Sequence, residues 1–341
     1  MINQIYRLVS PRQFEVSYRD ESLHSGNVAV RPTHLSICAA DQRYYTGSRG
    51  QEVLSRKLPM SLIHEAIGTV AYDPGGEFAA GTRVVMIPNT PVAEDGVIAE
   101  NYLRTSRFRS SGFDGFMQDY VFLPKHRIVP LFDELNDNVA SFLELISVSM
   151  HALRRFEQKS HVRKDTFGVW GDGNLGYISA LLLKKRYPGS KVFVFGKTGH
   201  KLSRFSFADE TYLIDQIPDS LRIDHAVECA GGIGSQSAIN QIIDFINPEG
   251  TISILGVSEY PVEINTRMIL EKGLSVVGSS RSGRVDFIET LEFLQQNEAV
   301  IDYLQTLIGS VNTIHTMRDI LDAFELDLTT DWGKTVMEWN I

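Results

Sequence analysis

The chain of 341 residues has only two cysteines, Cys38 and Cys229, far apart in sequence. Its opening stretch, "MINQIYRLVSPRQFEV", lacks the apolar core of a signal peptide. A disulfide is therefore not expected, the compartment is expected to be cytoplasmic, and each cysteine is read as a small buried residue or a reactive thiol. No apolar run is long enough to span a bilayer. Lys and Arg number 33 against 42 Asp and Glu, for a net charge of −9, and no basic block stands out, so a nucleic-acid partner is not expected. Internal repeats and low-complexity tracts are also absent.

The length exceeds the roughly 250–300 residues at which single cores stop growing, so two domains are expected. Up to about residue 140, short apolar runs ("NVAVRPTHLSIC", "TRVVMIP", "MQDYVFLP") alternate with Gly, Pro, Asn and Asp turns, which reads as β-rich. From 141 to 282, strand-like runs ("TFGVWG", "KVFVFG", "ETYLID", "DHAVECAGG", "TISILGV", "LSVVGSS") alternate with helix-length segments. That pattern predicts an α/β domain with a doubly wound parallel sheet covered on both faces. Beyond 283 the chain reads as helical ("RVDFIETLEFLQQN", "TMRDILDAFEL"), ending in a strand, "KTVMEW".

In "FGVWGDGNLGYISALLLKK", Gly171, Gly173 and Gly176 form G-x-G-x-x-G between an apolar strand and a helix opened by Asn174 and Leu175. The helix N-terminus offers free N–H groups and partial positive charge to a pyrophosphate. The competing reading is a glycine turn that binds nothing. The next strand ends at Gly196, where an NAD site usually has Asp or Glu for the ribose 2′-hydroxyl. From there to Lys201 no carboxylate occurs, while Lys197 and Lys201 do, which predicts preference for the 2′-phosphate of NADP(H). A basic solvated turn in an NAD site is the alternative.

Cys38 in "LSICAADQRYY", His64-Glu65 in "SLIHEAIG" and Glu144 in "ASFLELISVSMHAL" supply a thiol, an imidazole and carboxylates. Such a set suits a catalytic zinc with one open position. From spacing alone the signal is weak, because a lone cysteine is usually a buried hydrophobe and a lone histidine a surface or hydrogen-bonded core residue. C-x-x-D, then H-E, a mid-chain carboxylate and the glycine loop, in that order, resemble the medium-chain dehydrogenase/reductase superfamily of zinc alcohol and polyol dehydrogenases. The resemblance implies a GroES-like β-rich catalytic domain formed by residues 1–140 and 283–341 and a Rossmann domain at 141–282. It implies a single catalytic Zn2+, with Cys38, His64 and Glu144 as ligands and Glu65 beside them or as an alternate ligand. No four-cysteine cluster marks a structural zinc lobe, and Ala40 stands where many relatives carry a hydroxyl for proton relay; water, Tyr44 or Glu65 is the expected substitute.

Closer still, "SICAADQRYYTGSR", "LPMSLIHE", "RSSGFDGFMQD", "GVWGDGNLGY", "GSSRSG" and "WGKTV" resemble the bacterial ribulose-5-phosphate reductases of teichoic-acid synthesis. That branch implies NADPH-dependent reduction of D-ribulose 5-phosphate to D-ribitol 5-phosphate, a homodimer, and a partner cytidylyltransferase that makes CDP-ribitol. Arg43, Arg104, Arg109 and Arg281 are the candidate anchors for the sugar phosphate, since guanidinium forks suit phosphate oxygens. A sorbitol-type dehydrogenase acting on an unphosphorylated polyol is the nearest alternative. A non-catalytic nucleotide-binding partner of a cytidylyltransferase is an alternative of another class.

Overall fold

The structure, a computed structural model, describes residues 1–24 and 26–341. It divides into two compact units, one formed by Met1–Ser147 with Ser282–Ile341 and the other by Val148–Arg281. In chain order the first stretch contains β1 (Ile2–Ser10), β2 (Gln13–Asp20), β3 (Val28–Ser36), α1 (Ala39–Tyr45), α2 (Gln51–Lys57), β4 (Met60–Ser61), β5 (Glu65–Tyr72) and β6 (Arg83–Met86). It continues with β7 (Asn89–Thr90), β8 (Arg107–Phe108), β9 (Val121–Leu123), β10 (Ile128–Pro130), α3 (Asp137–Ala140) and α4 (Leu143–Glu157). The second unit has β11 (Thr166–Trp170), α5 (Asn174–Arg186), β12 (Lys191–Gly196), α6 (Gly199–Leu202), β13 (Glu210–Leu213), β14 (Ile223–Glu228), α7 (Gly234–Phe245), β15 (Ile246–Ile254), α8 (Thr266–Glu271) and β16 (Ser275–Gly278). The chain then returns to the first unit through α9 (Arg284–Gln296), α10 (Glu298–Gln305), β17 (Ile308–Ile314), α11 (Met317–Thr329) and β18 (Lys334–Trp339).

The first unit is built on a sheet ordered β10-β6-β5-β3-β18-β17, with β9 pairing β3. Its core gathers Leu8, Val30, Leu35, Tyr44, Phe116, Leu123, Phe324 and Trp339, so residues from both ends of the chain close one apolar interior. The terminal strand β18 is an inner strand of that sheet, antiparallel to β3 and parallel to β17. β17 falls in a region whose composition reads as helical; its sequence, IGSVNTI, alternates partly buried and exposed positions, which is the period of a half-covered strand.

The second unit holds the expected parallel sheet, ordered β13-β12-β11-β14-β15-β16, with every adjacent pair parallel. Counting from β11, this is the 3-2-1-4-5-6 order of a doubly wound dinucleotide fold. All six residues of β14 are buried, as strands covered on both faces must be. Trp170 stacks on Phe195 with ring centres 3.8 Å apart, tying the ends of β11 and β12 together beside the glycine loop.

Candidate metal and dinucleotide sites

Cys38 caps the N-terminus of α1, and His64-Glu65 lie where the chain enters β5. Folding brings the ligand atoms of Cys38, His64 and Glu65 within 4.8 Å of one another. The imidazole is held by Asp41, the fourth residue of C-x-x-D: His64 Nδ1 lies 3.5 Å from Asp41 Oδ2. Asp41 is itself fixed, since its Oδ1 accepts from Ser110 Oγ at 2.6 Å and from the Ile63 amide at 3.0 Å. Burial works against a charged imidazole, but the Asp41 carboxylate and the Cys38 thiol outweigh it and hold His64 well above its ordinary value. Burial, with the Glu65 charge adding to it, pushes the Cys38 thiol up. A cation placed among these groups would reverse that balance by stabilising the thiolate.

Glu65 is fully buried and meets an ammonium from the far end of the chain. Lys334, on β18, donates to Glu65 Oε1 at 3.0 Å and to the Ile37 carbonyl at 2.8 Å. Glu65 Oε2 lies 2.9 Å from the same nitrogen, yet no hydrogen bond is aligned on it. A buried carboxylate oxygen with an unused lone pair, next to a thiol and an imidazole, fits a zinc ion; thiolate, imidazole and carboxylate are the donors zinc takes. Glu144, in the first turn of α4, does not join the group of three. It lies close enough to feel His64, Glu65 and Lys334, and burial raises its carboxyl to about 7.

The second unit carries a cleft lined by Gly171, Asp172, Gly173, Phe195, Gly196, Lys197, Cys229 and Gly231 among others. Asn174, Leu175 and Gly176 begin α5 behind it. Gly176 must lack a side chain, because a Cβ there would stand 2.0 Å from the Gly171 carbonyl oxygen. Lys201 sits on α6, one turn beyond the cleft-lining Lys197. The carboxylate missing at position 196 is matched by one at Asp172, whose Oδ2 accepts from the amides of Lys197 and Thr198 at 2.8 and 2.9 Å. Cys229 Sγ lies 3.6 Å from Ser179 Oγ, and burial pushes its thiol up, which suits packing more than reactivity.

The four arginines expected at a phosphate fall in different settings. Arg43 is half-buried on α1, Arg104 is exposed, and Arg281 is half-buried with a positive φ of 59° where the second unit ends. Arg109 spends its terminal nitrogens on the carbonyls of Asp114 and Phe122, both at 3.1 Å, and lies over the Phe116 ring. Burial lowers its guanidinium to about 10. Arg109 thus braces its own loop, a duty that its sequence position beside other arginines does not reveal. Sequence reasoning missed the roles of Lys334 and Asp172. The signals were a lysine opening an apolar strand and a carboxylate inside the glycine loop.

A family model described as "Alcohol dehydrogenase GroES-like domain" matches residues 24–133, and one described as "Zinc-binding dehydrogenase" matches 189–296. The chain is 64% identical to a ribulose-5-phosphate reductase of Bacillus spizizenii, over 100% of both chains. It is 60% identical to ribulose-5-phosphate reductase 1 of Staphylococcus aureus, over 99% of both. A crystal structure of S. aureus TarJ in complex with NADPH superposes with a TM-score of 0.91 at 55% identity, covering 100% of each chain. With a GroES-like unit holding the buried Cys-His-Glu group and a Rossmann unit holding the glycine loop, the chain belongs to the zinc-binding, GroES-like alcohol dehydrogenase family, among its ribulose-5-phosphate reductases.

Proposed function

We propose that this protein reduces D-ribulose 5-phosphate to D-ribitol 5-phosphate with NADPH and one zinc ion per chain. The observation that carries the reading is end-to-end identity of 64% with a ribulose-5-phosphate reductase in a chain that groups Cys38, His64 and Glu65 within 4.8 Å. When bound, zinc supplies a Lewis acid for the ketose carbonyl and NADPH supplies the hydride. Cys38, His64 and Glu65 hold the metal. Asp41 orients His64, and Lys334 orients Glu65. Ala40 leaves no hydroxyl at the usual relay position; the Glu144 carboxyl, close to His64 and Glu65, is the neighbouring group placed to take part in proton transfer.

In the second unit, Gly171 and Gly173 leave room for the pyrophosphate at the N-terminus of α5. Lys197, with Lys201 behind it, supplies positive charge for a 2′-phosphate, while Asp172 is occupied by two backbone amides. The reaction belongs in the cytoplasm, and its product is the kind of sugar-alcohol phosphate that a cytidylyltransferase of the same pathway would activate to CDP-ribitol for teichoic acid. β16 ends the parallel sheet as an open edge, with Val276 41% exposed, which supports a homodimer that pairs this strand with its copy.

The deciding experiment is steady-state reduction of D-ribulose 5-phosphate with NADPH and with NADH, before and after chelation. The expected result is turnover that prefers NADPH and disappears with the metal. Equal rates with unphosphorylated ribulose would move the reading to a sorbitol-type dehydrogenase.

A further inference from the structure

Two cations converge on one buried tyrosine ring in the first unit. Tyr44, 1% exposed, lies near the end of α1. Lys57, the last residue of α2, donates to Tyr44 Oη at 3.0 Å and to Ser111 Oγ at 2.9 Å. The guanidinium of Arg49 lies 4.4 Å from the centre of the Tyr44 ring, and the Lys57 ammonium 5.7 Å. Arg43 precedes Tyr44 on α1, and its carbonyl accepts from the Arg49 amide at 3.2 Å. Arg43, Arg49 and Lys57 are all half-buried. Among the described residues, no carboxylate pairs with Lys57: its contacts are two hydroxyls and an aromatic face. In a chain with net charge −9, composition alone does not explain such a cluster. A partly desolvated ammonium that pairs with hydroxyls alone keeps most of its charge for a partner still to come.

The hydrogen bonding is suited to an oxyanion. Both hydroxyls accept from Lys57, so each keeps its own proton to donate elsewhere. Lys57 uses two of its three N–H donors. An anion with three oxygens could therefore meet one ammonium donor and two hydroxyl donors at the same point, with Arg49 on the flank.

The cluster is also tied to the metal set. Ser110, the neighbour of Ser111, donates to Asp41 Oδ1, and Asp41 Oδ2 stands 3.5 Å from His64 Nδ1. The Phe108 ring, on the same loop, lies 5.6 Å from the His64 ring. Asp41 and Tyr44 are three residues apart on α1, hence on one face and roughly 4.5 Å apart along the axis. A ligand with a carbonyl at one end and a phosphate three carbons away fits that offset.

We propose that Lys57, with the hydroxyls of Tyr44 and Ser111 and the flanking Arg49, forms the subsite for the phosphate monoester of the substrate. The assignment rests on the reductase reading and moves the anchor away from Arg104 and Arg109.

Lys57→Met, Lys57→Arg and Ser111→Ala test it. For Lys57→Met, the ratio of kcat/KM for ribulose 5-phosphate to that for ribulose should fall on the order of ten- to a hundredfold, the range for losing a hydrogen bond to a charged group. Most of the change should appear in KM. Lys57→Arg should recover much of it, and Ser111→Ala, which keeps the charge, should lose severalfold. Inorganic phosphate should raise the melting temperature of the unmutated protein and fail to raise that of Lys57→Met. A Lys57→Met enzyme with unaltered discrimination and unaltered phosphate protection overturns the subsite while the reductase reading stands. An unmutated enzyme that does not reduce ribulose 5-phosphate overturns the reductase reading, whatever phosphate does. Should Lys57→Met fail to fold, Ser111→Ala decides: unchanged KM for the phosphorylated ketose counts against the proposal.

Discussion

Gly196 carries no side chain because Asp172 fills the space: a Cβ at 196 would lie 2.6 Å from the Asp172 Cβ. The simplest route to NADH use, Gly196→Asp, is therefore expected to fail. Overpacking should lower stability by about 1–3 kcal/mol and weaken both cofactors, as read by thermal unfolding and cofactor titration. Asp172→Gly combined with Gly196→Asp removes the clash and should shift preference toward NADH by roughly tenfold or more. The proposed metal group shows the same mixture of legible and hidden residues. Cys38, His64 and Glu65 were readable through family motifs, whereas Lys334 was not, because its partner Glu65 lies 269 positions earlier. Replacing Cys38 and His64 together by alanine should drop bound zinc from one per chain to none in metal analysis, with reductase activity lost.

His225 makes a prediction about pH. The Thr251 amide can only donate to His225 Nδ1 (3.1 Å), and the Arg163 carbonyl can only accept from Nε2 (2.9 Å), so the folded ring is neutral. Burial, reinforced by His161, pulls it from 6.5 to about 4. As pH falls below 6.5 the unfolded chain gains a proton that the folded ring refuses until about pH 4. Stability contributed by this site is thus present above 6.5 and lost across that interval. Urea unfolding at pH 7 and pH 5 should show the loss, and His225→Gln should reduce the difference.

Among the elements, those with one strong period were legible. β11 and β12 are nearly continuous apolar strands, and α5 carries its glycine loop and basic last turn. β17 was not, since glycine, serine and asparagine mask a strand whose only cue is alternation. Nor did local sequence show how the returning segment is fastened. Glu100 accepts both terminal nitrogens of Arg127 at 2.9 and 3.0 Å and the Arg284 amide at 2.6 Å, joining the start of α9 to the segment before β10. Glu100→Gln should lower stability by about 1.5–3 kcal/mol in urea unfolding, the range for hydrogen bonds to charged groups. The open edge of β16 supports another test: Val276→Lys should leave the fold intact, by circular dichroism, and give a monomer in light scattering. A dimer unaffected by that charge would place the interface elsewhere.

At the scale of the molecule, the α/β class and a β-rich companion unit could be read from texture alone. The return of residues 282–341 to the first unit could be expected only by resemblance, because nothing local to "KTVMEW" says which strand it will join. Its place as an inner strand sets an order of events during synthesis. The ribosome delivers the whole of the dinucleotide unit before it delivers β18, and domains that are complete fold as they emerge. Until β18 arrives, β3 and β17 lack the strand that lies between them, Trp339 is missing from beside Tyr6, and Glu65 lacks its ammonium. A product that stops near Trp332 would thus keep every residue of the glycine cleft and every cysteine, histidine and carboxylate of the metal group, yet expose raw sheet edges to proteases and to other chains. Closure of the first sheet and completion of the Glu65 ion pair therefore wait on β18.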